Sequence, residues 1–221
     1  MKKVKIDEKL KEIYPDVCLG CLFYEASVEK TGKEFWEYLD GEVIPNIQKN
    51  MSLESLPDQE NIRQSREAYK KIGKEPSRYR VSSEALLRRI LQGKGLYKIN
   101  NVVDTNNLIS IETGYSAGSY DLDCVGDELV FRIGKVGEEY KGIGKEMVNI
   151  ENLPVFADEN GPYGSPTSDS ERAMIKNNSK QILTVLISFS GDRTLKKDLE
   201  KAEGYLAKFV GAKNIKAEIV K

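Results

Sequence analysis

The last forty residues of the chain constrain its fold most. Residues 182–189 are a nearly continuous apolar run of strand length, broken only by Thr184 and Ser188. From Thr194, Leu195, Leu199, Ala202, Leu206 and Phe209 recur at helical spacing, Gly211 supplies a stop, and Ile215, Ala217 and Ile219 then alternate. A strand, a helix and a strand in that order bury their apolar faces by packing the helix on a sheet. Two more apolar runs, 128–133 and 153–157, are bounded by Gly, Pro, Asn and Asp and also predict strands. The expected class is α+β, a mixed sheet or open barrel with flanking helices and this C-terminal strand-helix-strand unit.

Upstream, 17–24 reads as a buried strand carrying Cys18 and Cys21. Phe35, Trp36, Tyr38 and Leu39 predict a helix over 32–39, punctuated by Gly41 and Pro45. A polar helix follows over 58–72, then an extended segment over 75–80, because Pro76 biases Glu75 away from helix. Ser82 is placed to cap a helix whose stripe is Leu86, Leu87, Ile90 and Leu91, with Glu84 in its first turn and Gly93 after its end. Asn100 or Asn101 caps the next helix, which runs to Gly114. On its inner stripe Val102, Asn106, Ile109 and Thr113, an amide stands among apolar residues. Asn106 either belongs to an internal hydrogen-bond network or faces a pocket.

The chain has 221 residues, a length suited to one domain, and no histidine. That excludes Ser-His-Asp and Cys-His nucleophile systems, imidazole bases and His-containing zinc sites. Only Cys124 or carboxylates remain to complete a metal site with Cys18 and Cys21, so core packing is the expected role of that pair, and no metal or cofactor is expected. No apolar run is long enough to cross a membrane, and the basic start is not followed by an apolar leader segment. A cytoplasmic location is the expectation.

The formal net charge of −1 conceals an asymmetry. Residues 61–100 hold eleven lysines or arginines against three acids, a local +8 that leaves −9 for the rest. Arg78, Arg80, Arg88, Arg89, Lys94 and Lys98, with Tyr69, Tyr79 and Tyr97 interleaved, are candidate RNA contacts. The alternative is a pair of amphipathic helices with basic outer faces.

Two polar stretches complete the pattern, 100–107 continuing into 114–123, and 157–172. Each offers Gly-flanked backbone N–H groups beside hydroxyls and carboxylates, as an oxyanion site or an ammonium grip requires, and as turns also require. Arg78-Tyr79-Arg80-Val81-Ser82-Ser83-Glu84-Ala85-Leu86-Leu87-Arg88-Arg89, Ile99-Asn100-Asn101-Val102-Val103-Asp104-Thr105-Asn106-Asn107, Gly118-Ser119-Tyr120-Asp121, the turn at 157–161 and Ser168-Asp169-Ser170-Glu171-Arg172 follow in that order. Together they resemble the B3/B4 domain of the phenylalanyl-tRNA synthetase beta subunit, and more closely the free-standing proteins built around that domain. The resemblance implies one domain over 1–221, with an N-terminal arm at 1–74, a core at 75–190 and a C-terminal helix and strand at 191–221.

In the synthetase this domain hydrolyses tyrosine wrongly esterified to the phenylalanine tRNA. The resemblance therefore implies a trans-acting aminoacyl-tRNA deacylase, or alternatively a non-catalytic module that binds tRNA or an amino acid. The length leaves no room for a complete synthetase. The implied partners are tRNA or aminoacyl-tRNA with its amino-acid moiety; neither DNA nor membrane is expected. By the same resemblance Asn106 and a loop at 118–121 line the amino-acid pocket, and a turn at 164–172 forms the opposite wall. Asn101, Gly118, Ser119, Tyr120, Gly164, Ser170, Glu171 and Arg172 would contact substrate. Asp121 or Asp169 would hold its ammonium group, and Asn106 or Thr167 would position water or oxyanion. Synthetase editing domains commonly carry His-Ala-Phe-Asp where this chain reads Gly118-Ser119-Tyr120-Asp121, so the position of the imidazole is Gly118.

Overall fold

The computed structural model describes residues 2–221. The chain runs β1 (Lys3–Ile6), α1 (Glu8–Ile13), β2 (Cys18–Glu25), α2 (Lys33–Tyr38), α3 (Ile44–Asn50), α4 (Glu60–Lys71), α5 (Ser82–Leu91), α6 (Asn101–Thr113) and β3 (Ser116–Asp121). It continues β4 (Glu128–Ile133), β5 (Glu139–Lys141), β6 (Met147–Asn149), β7 (Pro154–Asp158), β8 (Gly161–Gly164), β9 (Gln181–Ser188), α7 (Leu195–Tyr205) and β10 (Lys213–Val220).

One four-stranded sheet has the order β1-β4-β7-β8, with β1 parallel to β4 and the other pairs antiparallel. The other has the order β10-β2-β9-β3 and is antiparallel throughout. Its two antiparallel steps across β2 make β9 and β10 parallel, so β9, α7 and β10 form the crossover unit expected from the sequence. The two sheets face each other across a core that includes Phe131, Phe156, Tyr163, Tyr120 and Val185, and they do not close into a barrel. Cys18, Leu22 and Leu186 cover the second sheet's outer face and pack against α6 and α7. That sheet is therefore buried on both faces, which explains why β2 and β9 are continuous apolar runs rather than alternating ones. Cys18 and Cys21, three residues apart on an extended strand, point to opposite faces, and both thiols are buried and free.

An outer helical layer places Phe35, Leu39, Ile47, Leu87 and Ile90 against α6 residues Leu108 and Ile111. With the sheet on one side and helices on the other, α6 is enclosed, so its polar residues need partners inside the protein: Asn101, Asp104, Asn106 and Ser110 have them, while Thr105 Oγ1 is buried without one among the described residues. Asn100 caps α6 by accepting from Val103 N at 2.9 Å, and Gly114 ends it at φ 74°.

Four local expectations are corrected. Gly41 and Pro45 do not stop the helix that begins at Lys33: a π turn over Leu39–Val43 joins α2 to α3. The register change there accommodates a proline that cannot donate a backbone hydrogen bond. Residues 76–78 form a turn, with Arg78 N and Tyr79 N donating to Glu75 O, rather than extended chain. Ser82 is the first residue of α5, not its cap; Val81 holds the cap position and Ser82 N donates to Pro166 O at 2.7 Å. Residues 116–121 are a strand rather than a loop, and their alternation sorts the site.

Candidate functional site

Along β3, Gly118 and Tyr120 point between the sheets, while Ala117 and Ser119 point toward α6. The candidate residues consequently fall into two groups on opposite faces of one sheet.

On the helix side, Asn106 donates to Ala117 O at 3.2 Å and accepts from Ser119 Oγ at 3.1 Å. Ser119 continues to Thr184 Oγ1 at 2.8 Å and Thr184 to Tyr24 Oη at 3.0 Å. Of the two readings of Asn106, the structure displays the internal network. Asn106→Ala should lower unfolding free energy by about 1–2 kcal/mol, measured by denaturant titration, because it strands the Ala117 carbonyl and Ser119. Asn101 ties the 25–31 segment to α6, donating to Ser27 O and accepting from Glu29 N, both at 3.0 Å. Asp121 accepts from Asp123 N and from Ser179 Oγ, at 3.0 and 2.5 Å, and so caps the turn after β3.

On the inter-sheet side, Tyr120 fills the space beside Gly118 and Gly164. A Cβ on Gly118 would lie 2.8 Å from Tyr120 Cζ, and one on Gly164 would lie 2.6 Å from Cε1, so neither position has room for one. The ring packs against Phe156 and Tyr163 with centroids 5.5 and 5.1 Å away. Its hydroxyl donates to Asp169 Oδ1 at 2.9 Å, and Ser165 N donates to the same oxygen at 3.2 Å. Among the described residues Asp169 Oδ2 has no hydrogen-bond partner. Burial pushes the Asp169 carboxyl up to about 6, against the Tyr120 hydrogen bond that pulls it down.

The loop carrying Asp169 is held from several sides. Ser165 Oγ donates to Ser168 O at 2.7 Å and accepts from Ser168 N at 3.0 Å; Thr167 Oγ1 meets Tyr69 Oη at 2.8 Å. Tyr140 of β5 reaches Ser165 Oγ and Ser168 O, and Ile143 N in the β5–β6 turn donates to Asp169 O at 3.0 Å. Tyr69, expected from the sequence among the exposed aromatics of the basic segment, is instead wholly buried in this clamp. Tyr140 went unnoticed in the sequence, its only signal being one aromatic between Glu139 and Lys141, a strand too short to declare itself. Ser170 caps the turn after the loop, Glu171 pairs with Lys141 at 3.1 Å, and Arg172 makes a bidentate pair with Asp158, both bonds 2.9 Å. Burial raises the Asp158 carboxyl, but Arg172 and two backbone N–H groups outweigh it and hold it below its ordinary value.

The basic segment is also divided. Arg66 and Arg88 each bond Glu84, which is wholly buried, at 3.0 Å, and Arg80 Nε lies 3.5 Å from it. Arg89 folds back on its own loop, whereas Arg78, Lys94 and Lys98 are exposed.

A family model described as the B3/4 domain matches residues 64–202. The chain belongs to that family. Two similar relatives are phenylalanine–tRNA ligase beta subunits, from Protochlamydia amoebophila (32% identical over 78 residues, 34% of this chain and 10% of the relative) and from Geobacter metallireducens (32% over 104 residues, 46% and 13%). The matches thus span about a tenth of those proteins. An N-terminal fragment of the phenylalanyl-tRNA synthetase beta-subunit from Pyrococcus horikoshii aligns with 99% of this chain and 50% of its own at 13% identity and a TM-score of 0.46. Within this B3/4 chain, the matched region contains α5, α6, both groups of site residues and the Asp169 loop. No helix among the described residues is long and apolar enough to cross a membrane, and no cluster of metal-binding side chains occurs among them.

Proposed function

We propose that this B3/4 protein is a trans-acting deacylase that hydrolyses the ester joining a wrongly attached amino acid to tRNA. Asp169 carries the reading: one of its oxygens is fixed by Tyr120 and Ser165, and the other is unspent. Above about pH 6 it is a carboxylate that can grip the substrate ammonium group. An aminoacyl ester is already activated, so the protein has to hold it and admit water. Water oxygen attacks the ester carbonyl, the bond to the ribose oxygen breaks, and that oxygen takes up the proton lost by water. Thr167 Oγ1, two residues before Asp169 and held by Tyr69 Oη, is the hydroxyl assigned to orient that water. The amide of Asn106 is already committed on the opposite face of the sheet.

The test is a panel of correctly and wrongly charged tRNAs, with the uncatalysed loss subtracted. One ester should disappear faster with protein, the rate should rise through about pH 6, and Asp169→Asn should lose about 10-fold or more. Stability gives an independent readout. The raised carboxyl pKa means that the folded state keeps its proton longer than the unfolded one, so stability is fullest below about pH 4 and falls toward pH 6. Asp169→Asn should flatten that slope, a difference of about 3 kcal/mol. An unchanged panel would remove the deacylase reading.

A second reading is favoured by Tyr120, whose ring fills the space beside Gly118 and Gly164. On that reading the protein binds tRNA without cleaving the ester. A salt-dependent gel shift with the ester intact would support it.

A further inference from the structure

We infer that the loop between α5 and α6, residues 92–100, is a docking platform for single-stranded RNA. The inference stands apart from ester cleavage, because it rests on a different surface. Between Ala85 and Val103 there are four cations, Arg88, Arg89, Lys94 and Lys98, and no carboxylate. Arg88 is spent on Glu84, and the other three surround exposed apolar groups. Tyr97 is 58% exposed and Ile99 60%, an uncommon pairing of large apolar side chains two residues apart on a polar loop.

The tyrosine is mounted rather than loose. Arg89 stacks on one face of its ring, 3.9 Å from the centroid, and donates to Tyr97 Oη at 2.9 Å. The same guanidinium donates to Gly95 O and Lys94 O at 3.0 and 3.3 Å, tying the loop together. Gly93 and Gly95 take φ of 71° and 59°, the left-handed values that bend the loop around the guanidinium. Asp104 Oδ1 accepts from Ile99 N at 3.0 Å and fixes the far end to α6. A second aromatic stands alongside: Lys98 Nζ lies 4.5 Å from the centroid of Trp36, which is partly exposed.

This arrangement offers flat aromatic surface, pre-ordered by cations, with Lys94 and the Lys98 seated over Trp36 paired to no carboxylate among the described residues and so able to meet negative charge. Nucleobases stack on such surface and phosphates pair with such lysines, so a single strand satisfies both at once. In a duplex the bases are stacked on one another and closed to Tyr97. An apolar protein partner would use Tyr97 and Ile99 but leave Lys94 and Lys98 without partners.

The probe is a fluorescein-labelled single-stranded RNA of about a dozen nucleotides, followed by anisotropy between about 50 and 200 mM salt. Wild-type protein should bind, and bind a duplex of the same length more weakly. Tyr97→Ala should weaken binding about 5-fold or more, while Tyr97→Phe, which keeps the ring, should restore it to within about 2-fold. Lys94→Ala with Lys98→Ala should lower the salt slope by roughly 1.4. All three positions are exposed, so unchanged thermal midpoints should accompany these losses. Absent binding by the wild type, a Tyr97→Ala affinity within 2-fold of wild type, or tighter binding of the duplex would each overturn the inference, whatever the charged-tRNA panel returns.

Discussion

Glu84→Ala should cost about 3–4 kcal/mol of unfolding free energy, the largest loss expected from any polar residue of this chain. Glu84 is a first-turn residue of α5 with no side-chain exposure, and three guanidiniums converge on it. Arg66 comes from α4, Arg80 from the turn before α5, and Arg88 from one helical turn further along. Truncation leaves three like charges facing one another around a void. Arg80 Nε is buried with no hydrogen bond, so it has only the nearby carboxylate to offset its desolvation. The arginine side chains are 21%, 36% and 26% exposed and can turn partly to water, which sets the loss below the top of the range for buried pairs. Glu84→Gln keeps an acceptor and should lose less. Replacing all four residues by apolar side chains of similar volume should be closer to neutral than removing Glu84 alone. A denaturation midpoint shift worth under about 1 kcal/mol for Glu84→Ala would mean that the arginines simply rehydrate. The same variant probes the site, since Ser82 at the start of α5 is bonded to Pro166 beside the Asp169 loop.

That cluster also marks where sequence reasoning stopped. The +8 segment was visible by counting, but a count cannot tell that Arg66, Arg80 and Arg88 share one internal carboxylate. Regular elements were legible where periodicity was long: β4, β9, α7 and the limits of α6 follow from apolar spacing and from Asn100 and Gly114. β3 was not legible, because Ser116-Ala117-Gly118-Ser119 has the composition of a loop and becomes a strand only by pairing with β9. Once it is a strand, period-two geometry separates residues that look adjacent. Ser119 joins Asn106 under α6, while Gly118 and Tyr120 join Asp169 between the sheets. The amide in the α6 stripe was visible from spacing. Its partners, a carbonyl and a serine of β3, belong to tertiary packing that spacing does not encode.

Gly118→Ala should destabilise the protein by about 2–3 kcal/mol, and that cost should shrink when Tyr120 is also changed to Phe. The first half follows from space. An added methyl would press on Tyr120 Cζ at 2.8 Å. The ring has nowhere to retreat: Tyr163 and Phe156 pack on it, and the Gly164 backbone occupies the other side so closely that a Cβ there would be 2.6 Å from Cε1. The second half follows from the hydroxyl, whose bond to Asp169 Oδ1 pins the ring in that position. Tyr120→Phe removes the pin for about 1–2 kcal/mol and lets the ring tilt away from a new methyl. The cycle of both single variants and the double variant, measured by denaturant titration, should give a coupling of at least about 1 kcal/mol. Costs that add to within about 0.5 kcal/mol would show that Tyr120 does not hold this space against residue 118. The coupling bears on chemistry as well as packing. The space beside Gly118 is the space that the tyrosine hydroxyl uses to reach Asp169, so the absence of a side chain at 118 and the phenol at 120 act as one feature of the site.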